Sequence, residues 1–291
     1  MSDLELFLDR AENLLQRVEQ MLPSQTSVPD WDASVAFRWR KRGGRGFLQP
    51  VTHPHQIRLA DLQGVDEQKK QIDRNTRQFV RGLPANNVLL TGARGTGKSS
   101  LIKAVMNQHA AKGLRLIEVE RMALVDLPDI VETLCQRPER FIVFCDDLSF
   151  DAGEPGYRAL KVALDGSVAA PSENVLIYAT SNRRHLMPEF MAENLETTYV
   201  GEEIRPGETT EEKVSLSERF GLWLSFYPFD QDEYLNIVRY WLAQLNVSEV
   251  DSEEVRREAL QWALGRGSRS GRSAWQFARD WAGRMGLRSK R

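Results

Sequence analysis

The spacing of apolar positions changes several times along the chain, and each change marks an element. From Asp3 to Leu22, the residues Leu4, Leu6, Phe7, Leu8, Leu14, Leu15, Val18 and Leu22 fit one face of an amphipathic helix, which Pro23 ends. Pro23, Pro29, Gly43, Gly44, Gly46 and Pro50 then read as a linker. From Leu59 short apolar runs alternate with helical spacing, which predicts a parallel sheet with helices on both sides. The strand candidates are Asn87 to Thr91, Arg115 to Val119, Phe141 to Cys145 and Val175 to Thr180. Helical spacing follows the first of them at Leu101, Ile102, Val105 and Met106, and recurs around Asp126 to Cys135 and Tyr157 to Leu164. Tyr199 to Lys213 is polar and rich in glutamate, predicting an exposed or mobile loop. After Phe226 the pattern is all-helical. Asp230 with Glu233, and Asp251 with Glu254, read as capping boxes for two helices, and a third is predicted from near Arg272 through Trp275, Phe277, Ala278 and Trp281. The chain thus divides into an N-terminal helix and basic linker over 1–58, an αβα unit over 59–225 and a helical unit over 226–291.

Composition narrows the classes. With 291 residues and 41% hydrophobic content, the chain has ample material for a core. Lys and Arg number 39 against 41 Asp and Glu, so a net charge of -2 gives no global attraction to nucleic acid or to an anionic membrane. Cys135 and Cys145 alone argue against a disulfide framework and for a reducing compartment. The first residues lack a basic segment followed by an apolar one, and no stretch approaches the length needed to span a bilayer. These features lead us to expect a soluble, cytoplasmic protein without a membrane partner.

One local cluster runs against the balanced charge. Phe37-Arg38-Trp39-Arg40-Lys41-Arg42 interleaves aromatic and basic residues, as surfaces that stack and neutralise single-stranded nucleic acid do. A linker docked on the body has the same composition, and charged runs are usually solvated faces, so nucleic acid is the less favoured reading. The same holds for the basic tail with Arg279, Arg284, Arg288, Lys290 and Arg291.

The chemistry lies at the ends of the strand candidates. Between the first strand and its helix stands Gly92-Ala93-Arg94-Gly95-Thr96-Gly97-Lys98-Ser99-Ser100, which fills the pattern G-x-x-x-x-G-K-[ST]. A loop with little side-chain bulk lets backbone N–H groups converge on phosphate oxygens at a helix start, where the dipole also favours negative charge. Lys98 is placed to reach the terminal phosphates and Ser99 to offer a hydroxyl to Mg²⁺. The strand Phe141 to Cys145 ends in Asp146 and Asp147: the first suits the Mg²⁺ shell, the second an attacking water as base or orienting group. Asn182, just beyond the strand at Val175 to Thr180, suits the positioning of that water. Arg219 and Arg272 are guanidinium candidates for charge developing on a transferred phosphate, Arg219 from a neighbouring subunit.

Taken in order, Asp61-Leu62-Gln63-Gly64-Val65, GARGTGKS, FIVFCDD, ATSN, SERF and GRS resemble the motifs of AAA+ ATPases, over about Leu59 to Trp281. More narrowly, SNRRHL, LSERFGLWLSF and SGRSAWQFARDW are similar to a bacterial group of AAA+ ATP-binding proteins of undefined function. The resemblance implies an αβα P-loop core followed by a helical lid, Mg²⁺ and ATP at their seam, Leu62, Gly64 and Val65 on the adenine side, and a homo-oligomer in which Arg219 serves the adjacent subunit. It also implies hydrolysis coupled to remodelling or switching an unidentified protein partner. Two departures qualify it. Asp147 stands where the family commonly has Glu, one methylene shorter, which points to slow turnover. Glu120 to Leu124 lacks the aromatic-glycine pair of threading unfoldases. The alternatives are an ATP-binding switch or adaptor with little turnover, and a loader-type ATPase associated with nucleic acid.

Overall fold

The computed structural model describes residues 29–150, 154–165, 172–182, 198–200, 203–205 and 216–289, together with positions 7, 10, 12 and 13. The amphipathic helix expected over Asp3 to Leu22 therefore lies almost wholly outside the described residues.

The centre is a seven-stranded sheet in the order β2-β1-β4-β5-β6-β3-β9. Its strands are β1 (Ala36–Arg42), β2 (Arg45–Pro50), β3 (Val88–Gly92), β4 (Leu114–Val119), β5 (Arg140–Cys145), β6 (Val175–Ser181) and β9 (Leu222–Phe226). Apart from the antiparallel β1-β2 hairpin, neighbouring strands run parallel. β3, β5 and β6 are buried along nearly their whole length. That is why they read as unbroken apolar runs: a parallel strand covered on both faces has no polar side to show.

Two apolar layers cover the sheet. One joins it to α1 (Asp66–Val80), α2 (Lys98–His109) and the C-terminal helices α5 (Gln231–Gln244), α6 (Glu253–Gly265) and α7 (Gly271–Ser289), through Ile72, Leu101, Val105, Tyr234, Val238 and Phe277. The other packs α3 (Leu127–Cys135) and α4 (Pro155–Asp165) on the opposite face through Leu127, Ile130, Leu134 and Leu160. The α/β fold with a parallel sheet and a C-terminal helical unit is as expected. β3, the glycine loop after it and α2 follow one another in the order that the phosphate-loop pattern calls for.

Three local readings need correction. Residues 36–50, expected as part of a linker, form β1 and β2 at the sheet edge. The alternation in Phe37-Arg38-Trp39-Arg40 is a strand period, with Phe37 and Trp39 buried and Arg38 and Arg40 on the other face, paired to Glu118 and Glu120. Lys41 pairs with Asp126, which also accepts a hydrogen bond from Trp39 Nε1 at 2.9 Å. Within Tyr199 to Lys213, expected to be a loop, β7 (Thr198–Val200) and β8 (Glu203–Arg205) pair antiparallel, as the β-branched and aromatic residues Thr198, Tyr199 and Val200 favour. The cap of α6 is Ser252 rather than Asp251: its extended backbone lets the hydroxyl accept from the Val255 N–H at 3.3 Å. The Asp230–Glu233 box at α5 forms as expected, with bonds of 2.8 and 2.9 Å.

Candidate functional site

A cavity of about 820 Å³ opens where the carboxyl ends of β3, β5 and β6 meet the C-terminal helices. Its floor is the loop between β3 and α2. Gly92, at φ 124°, lies so close to β9 that a Cβ there would stand 1.9 Å from the Phe226 carbonyl oxygen. Gly97, at φ 100°, caps α2 in the left-handed region, and its carbonyl accepts from the Leu101 N–H at 2.8 Å. These two positions turn the chain from strand to helix and leave the helix N-terminus facing the cavity.

Lys98 is 6% exposed, and its Nζ donates to the carbonyls of Gly92 and Ala93 at 2.8 and 2.7 Å and to Asn182 Oδ1 at 3.0 Å. Burial pushes its ammonium below the ordinary lysine value; Asp147 and Asp146 oppose that shift, while Arg94 and Arg272 reinforce it. Lys98, Arg94 and Arg272 together bring three basic side chains to the lining of the cavity, which suits an anion. Ser99 Oγ donates to Asp146 Oδ1 at 2.6 Å, putting two hard oxygens side by side at the head of α2. Asn182 Nδ2 donates to Asp147 Oδ1. Lys98, Asn182 and Asp147 form one hydrogen-bonded set and Ser99 and Asp146 another, drawn from positions up to 84 residues apart, and Thr180 Oγ1 joins the two by donating to Asp146 and accepting from the Asp147 N–H.

The other predicted residues are placed as follows. Arg94, Gly95, Thr96, Gly97, Lys98, Ser99 and Ser100 line the cavity, whereas Gly92 and Ala93 act beneath it through their carbonyls. Arg272, in the first turn of α7, also lines it, and its N–H approaches the Gly95 carbonyl at 3.4 Å. Leu62 lines it on the far side, but Gly64 and Val65 do not: Gly64 packs beside the Phe229 ring and Val65 is buried in the core. The turn into α1 carries those two away from the opening. Arg219 is outside the lining, with Nε donating to both carboxylate oxygens of Asp165, at 2.6 and 2.8 Å.

Sequence reasoning missed the wall opposite the phosphate loop. His55, Gln56 and Ile57 line it, the carbonyls of His55 and Ile57 held by Asn107 Nδ2 at 2.7 and 2.8 Å. Trp241 of α5 and Trp275 of α7 line it too, their rings 4.6 Å apart at 57°. Asp61, also on the lining, accepts from Arg58 and from the Tyr240 hydroxyl at 2.7 Å, tying the segment before α1 to α5. Burial works to raise the Asp61 carboxyl, but the Arg58 and Tyr240 hydrogen bonds outweigh it and hold the group below the usual aspartate value. The helical spacing of Trp241 and Trp275 gave no separate signal, because each indole is half-buried and serves packing and cavity together.

Among the described residues no helix is long and apolar enough to cross a membrane. The chain is similar to the ATP-dependent zinc metalloproteases FTSH 9 and FTSH 7, chloroplastic, of Arabidopsis thaliana, each 38% identical over 80 residues, 25% of this chain. It spans only 10% of the length of those relatives. Among solved structures it is similar to the RuvB Holliday junction branch migration motor of Thermotoga maritima, with a TM-score of 0.48 and 16% identity over 76% of this chain and 63% of that one. Residues 32–285 match the model of the family described as "Protein of unknown function (DUF815)", and the chain belongs to that family.

Proposed function

We propose that the protein is a Mg²⁺-dependent ATPase that works as an oligomer and uses its nucleotide cycle to switch or remodel a macromolecular partner. The observation that supports this best is the hydrogen-bonded network of Lys98, Asn182, Asp147, Thr180, Asp146 and Ser99 beside a helix N-terminus. The residues fit the triphosphate. Lys98, Arg94 and Arg272 line one volume at the N-terminus of α2. They also fit Mg²⁺, which takes few protein ligands and retains several waters: Ser99 Oγ and Asp146 would hold it. When bound, that ion neutralises charge on the phosphates and lowers the barrier to attack at phosphorus.

In this reading Asp147 orients the attacking water and accepts its proton, with Asn182 fixing the carboxylate from the next strand. Arg272 stabilises the phosphates from the lid side. Arg219 acts on the nucleotide of an adjacent subunit; its place outside this chain's own cavity supports that role. The unit over 59–225 then binds nucleotide, and the helices over 226–291 act as its lid. The ion pairs of Arg38, Arg40 and Lys41 with acids of the same chain weaken the nucleic-acid reading, since they hold the basic run on its own sheet.

Phosphate release by the purified protein in Mg²⁺ and ATP tests the proposal. Turnover that falls roughly 100-fold or more in Asp147→Asn, with ATP affinity kept, is the expected outcome. Absence of turnover in the wild type, together with tight ATP binding, would favour the switch with rare hydrolysis, and the shorter Asp147 side chain is the observation behind that second reading.

A further inference from the structure

No motif singles out the Thr180 hydroxyl, yet it is the atom on which the two acidic residues converge. Thr180 sits in β6 two residues before Asn182 and is 2% exposed. Its Oγ1 donates to Asp146 Oδ1 at 2.6 Å and accepts from the Asp147 N–H at 2.9 Å. The Thr180 carbonyl accepts from the Leu148 N–H at 2.7 Å, and Ser181 Oγ donates to the Leu148 carbonyl at 2.7 Å. The turn over residues 146–148 is thereby tied to the neighbouring strand at each of its three residues.

That turn has a reason to be tied. Asp147 has φ 52°, in the left-handed region, where a non-glycine residue is strained and persists only when its surroundings hold it. Aspartate is among the side chains that tolerate this backbone best, and longer acids less so. The turn directs the short Asp147 carboxylate to Asn182 Nδ2. Backbone direction thus does the work that an extra methylene does in a glutamate on an ordinary backbone.

We propose that Thr180 is a positioning residue whose one hydroxyl sets both carboxylates: the metal-side oxygen of Asp146 directly, and Asp147 through the N–H of its left-handed backbone. The proposal rests on the reading of the cavity as a Mg²⁺-ATP site. It also accounts for the Asp-Asp ending of β5, because a glutamate at 147 would have to adopt a backbone it disfavours.

The test uses the full chain as wild type, Thr180→Val, Thr180→Ala and Thr180→Ser. Calorimetry measures ATP affinity once in EDTA and once in Mg²⁺, phosphate release gives kcat and KM, and thermal melting confirms folding. Val keeps the shape and removes the hydroxyl; Ala serves if Val does not fold. Both should bind ATP in EDTA as the wild type does, but lose roughly 10- to 100-fold in the Mg²⁺-dependent gain in affinity and in kcat. KM should move much less, and Ser should restore most of both losses. An unchanged Mg²⁺ gain in folded Val or Ala variants overturns the proposal even if the wild type turns over too slowly to measure. Ser as impaired as Val also overturns it, because the methyl packing would then matter and the hydroxyl would not. A wild type that binds no ATP in either buffer fails at the earlier step and removes the nucleotide reading itself.

Discussion

Across the cavity a phosphate wall from the ends of β3, β5 and β6 faces a lid wall from α5, α7 and the segment before α1, and the two are held differently. On the phosphate wall, short side chains at adjacent strand ends bond one another: Thr180 and Ser99 to Asp146, Asn182 to Asp147 and to Lys98. Sheet register fixes those distances, because Leu90 pairs with Thr180 and Cys145 with Ala179. On the lid wall, the groups are long aromatics whose places depend on helices packing onto the core. Tyr240 reaches Asp61 across 179 residues of sequence, and Trp241 meets Trp275. A rigid wall suits groups that must meet reacting atoms to within a fraction of an ångström, and a packed wall suits one that opens and closes.

If this contrast holds, changes at Asp147 and Asn182 on the phosphate side alter turnover, whereas changes among the lid-wall aromatics alter affinity. The largest expected effect comes from outside both walls. Arg219→Ala should lower kcat by about a thousandfold while ATP affinity stays near that of the wild type, as loss of a trans-acting guanidinium does. Mixing this variant with subunits that keep Arg219 but lack Lys98 should restore turnover; no rescue would place Arg219 in some other role. On the lid wall, Trp241→Ala should weaken nucleotide binding roughly two- to tenfold through lost aromatic contact, with kcat at saturation little changed. A kcat loss as large as that of Asp147→Asn would erase the distinction between the walls.

The smallest effect belongs to Tyr240→Phe, which removes one hydrogen bond to Asp61 and should cost about 1 kcal/mol near neutral pH. The sign with pH follows from Asp61, whose folded value lies below its ordinary 3.8. Its stabilising contribution is present above that ordinary value and is lost as pH falls through the lower, folded one. Thermal melts at about pH 7 and about pH 3 should therefore show wild type and variant converging at the acid end. A gap that is constant across this range would mean that Asp61 is not the partner that matters.

The same contrast explains what was legible in the sequence. The phosphate loop, the acids ending β5 and Asn182 each sit at the end of an apolar run, so local pattern placed them, and the structure brings them together. Thr180 was hidden because its role lies in the geometry of the Asp147 backbone, which no residue type announces. Trp241 and Trp275 looked like helix core because their spacing serves packing and cavity at once. The run at Phe37 was misread as a linker for a related reason: aromatic-basic alternation is also strand alternation, and Glu118 and Glu120, the partners that decide between them, lie 80 residues away.

The central claim is that these separated residues converge on one triphosphate, and calorimetric titration of ATP in Mg²⁺ into wild type and Lys98→Ala tests it most directly. The account predicts saturable binding at one site per chain in the wild type and no measurable binding once Lys98 is lost. Equal binding by the two proteins would contradict it.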